Sequence, residues 1–281
     1  MNKLNCFHSL ALLTLLLQSC QPKPVLYQKN IPEASRKALS RQLVSGHQFH
    51  YQGTVSETLL MQEALLYDST NAVPYRELAA PAVKRGLTKD FYRYYQGAVR
   101  HDPIEWQGWR GYLYLYFYHD YERALADFQA LDALTPNFVD YPQSTSILFM
   151  SGICYLQLED YDQAILFFDR HINEELKTVE EAYIGTETFL FKGIAQYKQK
   201  DWAAAKATFE RGLRNADGKS ADLWFWLSRT EAELGNPEAA KTAVANAQLQ
   251  FDRGYYHDRT YVDEFYQTYR EQLEDWAGHF E

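Results

Sequence analysis

One short pattern returns along this chain at near-constant offsets, and that recurrence constrains the fold more than any other feature. Gly152 is followed by Asp160-Tyr161, Ala164 and Phe168, and Gly193 by Asp201-Trp202, Ala205 and Phe209, at identical offsets. The frame returns as Tyr112, Asp120-Tyr121, Ala124 and Phe128, closed by Pro136, and again as Ser228, Asn236-Pro237, Ala240 and Val244. A period of about 20–50 residues marks stacked units, each burying its apolar face only against its neighbours. Taking the alanine slot as marker gives Glu57, Phe91, Ala124, Ala164, Ala205 and Ala240, spaced by 34, 33, 40, 41 and 35 residues. The two long intervals contain residues 137–144 and 173–185, read as loop insertions or extended helix ends.

These residues resemble the tetratricopeptide repeat, a helix-turn-helix unit of about 34 residues. Its pattern has a small residue in the first helix, an Ala early in the second and a bulky apolar residue four later. The reason is geometric: the paired helices approach so closely that only a small residue fits at their contact, while large residues fill the gap to the next unit. The resemblance covers about residues 55–250 and implies an all-α, tetratricopeptide-type solenoid of antiparallel hairpins. A degenerate helical unit is expected over residues 36–71 and the repeats proper over 72–250. Beyond Gln250 the period is lost, and Tyr261, Phe265, Tyr269, Leu273 and Trp276 recur at spacings of 4, 4, 4 and 3. That spacing predicts an amphipathic helix within residues 251–281, either capping the last apolar face or docking a partner.

The N-terminus carries a different signal. Lys3 precedes an apolar run from Leu10 to Leu17, too short to span a bilayer as a helix, and the run ends in Leu17-Gln18-Ser19-Cys20. Those last four residues resemble the bacterial lipobox, whose cysteine is linked to diacylglycerol and becomes the new N-terminus. The resemblance implies a signal peptide over residues 1–19, lipidation at Cys20 and a Pro-containing tether over 20–35; ordinary secretion with a chance cysteine is the alternative. Two or three acyl chains, at about 0.8 kcal/mol per buried methylene, make anchoring effectively permanent. With Cys6 in the leader and Cys20 acylated, Cys154 remains alone, and its apolar setting Gly152-Ile153-Cys154-Tyr155 predicts a buried thiol without a disulfide.

Chemistry-bearing motifs are sparse. The net charge of −9 and the lack of clustered Lys and Arg argue against a nucleic-acid partner. No phosphate loop, metalloprotease helix or nucleophile elbow is found, so no catalytic residue, cofactor or metal is expected. His47 and His50 are read as loop histidines without a third ligand, and His119 and His171 as solvated. What stands out is the aromatic content of 16%. The family pattern, carried onto this chain, places Trp106, Trp109, Tyr116, Phe117, Phe149, Tyr197 and Phe225 on the first helices, which line the concave side. They form either an aromatic groove for a peptide or helix of a partner, or core; a one-residue slip near Trp106 exchanges the two faces.

Lipid anchor and hairpins together are similar in organisation to tetratricopeptide lipoproteins of Gram-negative outer membranes, which are scaffolds. The expectation is therefore a non-catalytic adaptor in the bacterial cell envelope, held to the outer membrane through Cys20, facing the periplasm and binding envelope proteins. A glycan-handling lipoprotein is the rival, since Trp and Tyr also stack on sugars; Asp68-Ser69-Thr70 resembles an O-glycosylation acceptor.

Overall fold

The computed structural model describes residues 31–280; Cys20, the leader and most of the tether lie outside them. The described residues contain thirteen α-helices and no strand. Contacts divide the chain into two units, Met1–Leu78 and Ala79–Glu281.

In the first unit, α1 (Glu33–Gly46) packs on α2 (Val55–Tyr67). The Thr54 side chain caps α2 by accepting from the Glu57 amide. Here the helix preceding the Glu57 marker, poorly defined in sequence, is a regular 14-residue helix. Helix α3 (Ala72–Lys84) carries the division between the units.

The second unit continues with α4 (Thr88–His101) and four hairpins. These are α5/α6 (Pro103–Tyr118, Tyr121–Leu134), α7/α8 (Ile147–Gln157, Tyr161–Glu175), α9/α10 (Thr186–Lys198, Trp202–Asn215) and α11/α12 (Ala221–Glu233, Pro237–Asp252). The repeated Asp has a local reason. Asp120, Asp160 and Asp201 each stand at an N-cap, their carboxylates accepting from the amides of Arg123, Gln163 and Ala204 at 3.2, 3.2 and 3.0 Å. The residue before each cap, His119, Glu159 or Lys200, has positive φ and reverses the chain. Glycines then let the helices meet: a Cβ on Gly111, Gly152 or Gly193 would stand 2.5, 2.7 or 2.3 Å from the ring of Phe128, Phe168 or Phe209. All six markers, from Glu57 to Ala240, are buried.

Two expectations shift. The small residue of α5 is Gly111, not Tyr112, because that helix carries one more residue before its turn: the Asp120 amide bonds back to Tyr114, six residues away, whereas Asp160 and Asp201 bond back five. Nor do the C-terminal aromatics share one helix. Helix α13 is confined to Arg270–Gly278, and residues 253–269 run as an irregular segment. Both long intervals are loops with a single 3-10 turn, at Pro142–Ser144 and Glu181–Tyr183.

Candidate partner-binding surface

The first helices of the hairpins carry the surface that sequence reasoning singled out. Its middle, around Tyr112 and Tyr116 of α5, Phe191 of α9 and Trp226 of α11, is covered by the chain's own segment 255–269, henceforth the strap. On α5, Arg259 lays its guanidinium 3.8 Å from the ring centroid of Tyr116 and donates to the Tyr112 hydroxyl at 3.4 Å. Its charge is balanced by Glu264, buried and bonded at 2.8 Å. Phe265 packs on Tyr116, His119 and Tyr121. Tyr266 meets Phe191 of α9 and Trp226 of α11, the latter edge-on at 5.9 Å.

One carboxylate holds both ends of the strap. Asp222, fully buried at the start of α11, accepts from the amides of His257 at 2.8 Å and Thr268 at 3.2 Å. Burial pushes its carboxyl above the usual range, against these hydrogen bonds. His257 Nε2 lies 2.7 Å from Glu187 Oε1. Burial would lower the imidazole's pKa, but the hydrogen bond and charge of Glu187, with Asp222 and Glu264 behind it, raise it above its ordinary value. Glu187 is correspondingly lowered despite its own burial.

The sequence-selected residues do not form one site. Tyr116 lies under the strap, and Phe149, packed on Phe168, His171 and Phe191, borders a depression of ≈ 280 Å³ with Glu187 and Arg259. Tyr197 and Phe225 surround Arg229, whose guanidinium also faces Trp226 and Trp276 of α13 at 5.1 and 5.7 Å. Trp276 donates to Ser228 Oγ at 2.8 Å, so α13 closes over this cluster. Trp106 and Trp109 pair at 6.1 Å near the start of α5, where Trp109 lines a shallow depression together with Leu131 and Pro142. Phe117 is half-buried on α5.

Sequence reasoning missed Tyr112, Glu187, Asp222, Trp226 and Arg259. The register slip hid Tyr112. Glu187 and Asp222 stand in the first turns of α9 and α11, where acidic residues are ordinary for helix termini, so sequence alone does not mark them. His171 is buried rather than solvated, and burial holds its imidazole below the ordinary value although Glu175 pulls it upward. Cys154 is a free, fully buried thiol whose pKa burial pushes up.

In the first unit, ligand atoms of His47, Glu57 and Glu77 approach within 4.8 Å of one another. The carboxylates stand ten and thirty residues beyond His47, too far along the chain for a spacing motif. Glu77 is already engaged by Arg76 at 2.6 Å and Gln52 at 3.3 Å, and Glu57 by the Gly53 amide. Glu57 Oε1 is buried without a hydrogen-bond partner, so the protein's own hydrogen bonds take up only part of the cluster. In Asp68-Ser69-Thr70, the Thr70 hydroxyl donates to Asp68 in a local turn.

The family model for the tetratricopeptide repeat matches residues 114–177 and 192–255. The chain carries tetratricopeptide repeats, and its fold is the corresponding α-solenoid. The SGT1 homolog of Bos taurus is 27% identical over 136 residues, 47% of this chain and 37% of that protein, so the chain spans little more than a third of that relative's length. PilW, a widely conserved type IV pilus biogenesis factor, superposes with TM-score 0.55 at 15% identity, covering 78% of this chain and 94% of its own. YrrB, a tetratricopeptide protein with an unusual peptide-binding site, superposes with TM-score 0.51 at 19% identity, over 69% of this chain and 94% of its own. These likenesses establish the fold alone. Among the described residues, no helix is long and apolar enough to cross a membrane.

Proposed function

We infer that the protein is a lipid-anchored adaptor of the bacterial cell envelope, acylated at Cys20, that gathers partner proteins on the first-helix surface of its repeats while facing the periplasm. The observation that carries this reading is the capacity of that surface to hold an extended polypeptide. Tyr112, Tyr116, Phe191 and Trp226 seat side chains, and Asp222 takes up backbone amides. Aromatic anchors of this kind contribute up to about 2 kcal/mol or more each in interfaces. The peptide-binding site named for YrrB supports the same use of the fold.

Two measurements test the reading. Mass spectrometry of the envelope-extracted protein is expected to find a diacylated or triacylated Cys20 as N-terminus, and Cys20→Ser to release the protein from membranes. Co-purification from the envelope is expected to return stoichiometric partners that are lost on Trp226→Ala at unchanged helicity. An unmodified N-terminus elsewhere would remove the anchor; partners indifferent to Trp226→Ala would remove the surface.

A further inference from the structure

The strap has the properties of a bound peptide rather than of a structural element. It crosses α5, α9 and α11, the first helices of three separate hairpins, and its polar backbone is taken up at both ends by one side chain, Asp222. It forms no helix, and two of its bulky residues, Tyr261 and Tyr266, sit at φ of 76° and 54°, in the left-handed region that such residues avoid. Tyr261, near its midpoint, is 74% exposed and meets the Lys84 ammonium 5.4 Å from its ring centroid, between the anchors at Arg259 and Glu264. The surface beneath is imperfectly used: the Tyr116 hydroxyl and the Trp226 indole N–H are buried without a hydrogen-bond partner.

We propose that residues 255–269 are a self-supplied ligand that closes the binding surface, and that a partner segment of like chemistry competes for it: an extended stretch with an arginine and, five residues on, an acidic residue followed by two aromatics. This rests on the adaptor reading above and names the partner it admits. Each part of the motif follows from its seat. The arginine lies on Tyr116 with Tyr112 at its edge, the acid neutralises it in the buried site, and the aromatic pair enters the Tyr116/His119/Tyr121 and Phe191/Trp226 clusters. Glu187, which holds the His257 imidazole at 2.7 Å, adds a cationic or imidazole residue two positions before the arginine. A competitor able to bond the Tyr116 hydroxyl or the Trp226 N–H gains contacts that the strap does not make.

The test uses the full chain and a fluorescein-labelled synthetic peptide of residues 255–269. A tethered ligand presents itself at an effective concentration on the order of mM, so the wild-type chain should bind the peptide weakly. Phe265→Ser/Tyr266→Ser alters only the strap and leaves its seats intact; anisotropy should read at least tenfold tighter binding than wild type. Equal affinity, or no binding to either, at wild-type circular dichroism overturns the proposal. If the double variant loses helicity, Arg259→Ala is read the same way. Amide exchange at His257 and Thr268 of the wild-type chain is then also followed with saturating peptide: acceleration supports displacement, unchanged protection overturns it. A variant that sediments as a dimer and excludes the peptide also overturns it, in favour of strap exchange between copies. Peptide binding without recruitment of any envelope protein defeats the adaptor reading alone, whereas recruitment indifferent to the strap substitutions defeats this one alone.

Discussion

A methyl group at Gly193 has no room: it would lie 2.3 Å from Cε1 and 2.6 Å from Cδ1 of Phe209, a ring fully buried between helices. Helix propensity favours Ala over Gly by about 1 kcal/mol, but overpacking a closed core costs about 1–3 kcal/mol. The second term should win, so Gly193→Ala is expected to lower the urea midpoint, with Gly193→Ala/Phe209→Leu recovering part of the loss. Gly278, which has nothing within 4 Å of an added Cβ, is the control and should accept Ala without cost. Which residues touch was legible wherever spacing alone decided it: Gly152 with Phe168 and Gly193 with Phe209 could be read off two aligned strings. The equivalent glycine of α5 could not, because one extra helical residue before His119 moves the small position from Tyr112 to Gly111, and a lone sequence does not reveal where a turn begins. The same shift turns Tyr112, the expected small position, toward Arg259.

At the scale of elements, the periodicity of 261–276 predicted a helix and was overridden by tertiary contact. An uninterrupted helix would keep Tyr261 on the same stripe as Phe265, whereas the observed chain leaves Tyr261 in solvent and spreads Arg259, Phe265 and Tyr266 over three hairpins. Propensity is a weak prior against burial of that many rings. The strap's grip should also depend on pH. His257 has a raised folded-state pKa, so its contribution is complete below its unfolded value of about 6.5 and is lost as pH rises through the folded value. Glu187, lowered, keeps its contribution above its unfolded value of about 4.3 and loses it as pH falls through the folded one. Asp222, raised by burial, favours the lower side. The strap is therefore held best between about pH 4.5 and 6.5 and loosens above. Amide exchange at His257 and Thr268, corrected for intrinsic rates, should show protection falling from pH 6 to 8 in the wild type and a flattened profile in His257→Gln.

For the second unit as a whole, the strap changes the kind of cooperativity available. In a solenoid each hairpin contacts only its neighbours, and stability is close to a sum of local and nearest-neighbour contributions, so such arrays unravel from their ends. The strap adds contacts that skip neighbours: Arg259 bonds Tyr112 across 147 residues of sequence, while Asp222, in the last hairpin, holds the segment that carries both Arg259 and Phe265. Losing a buried Phe typically costs about 3–5 kcal/mol; here that is an upper bound, because a freed strap can leave the surface without exposing the hairpin cores. What should change more is the shape of unfolding. With the strap in place, α5 and α11 share a fate and denaturant should unfold the unit in one steep transition. In Phe265→Ser/Tyr266→Ser the hairpins report separately, so the ellipticity transition should broaden with a lower apparent m, since m follows the surface released in one cooperative step. Tryptophans at the two ends provide the probes: Trp106 and Trp109 in the first of these hairpins, Trp224 and Trp226 in the last. Their fluorescence transitions should coincide in the wild-type chain and separate in the variant, and coincidence in both would mean that neighbour packing alone couples the repeats.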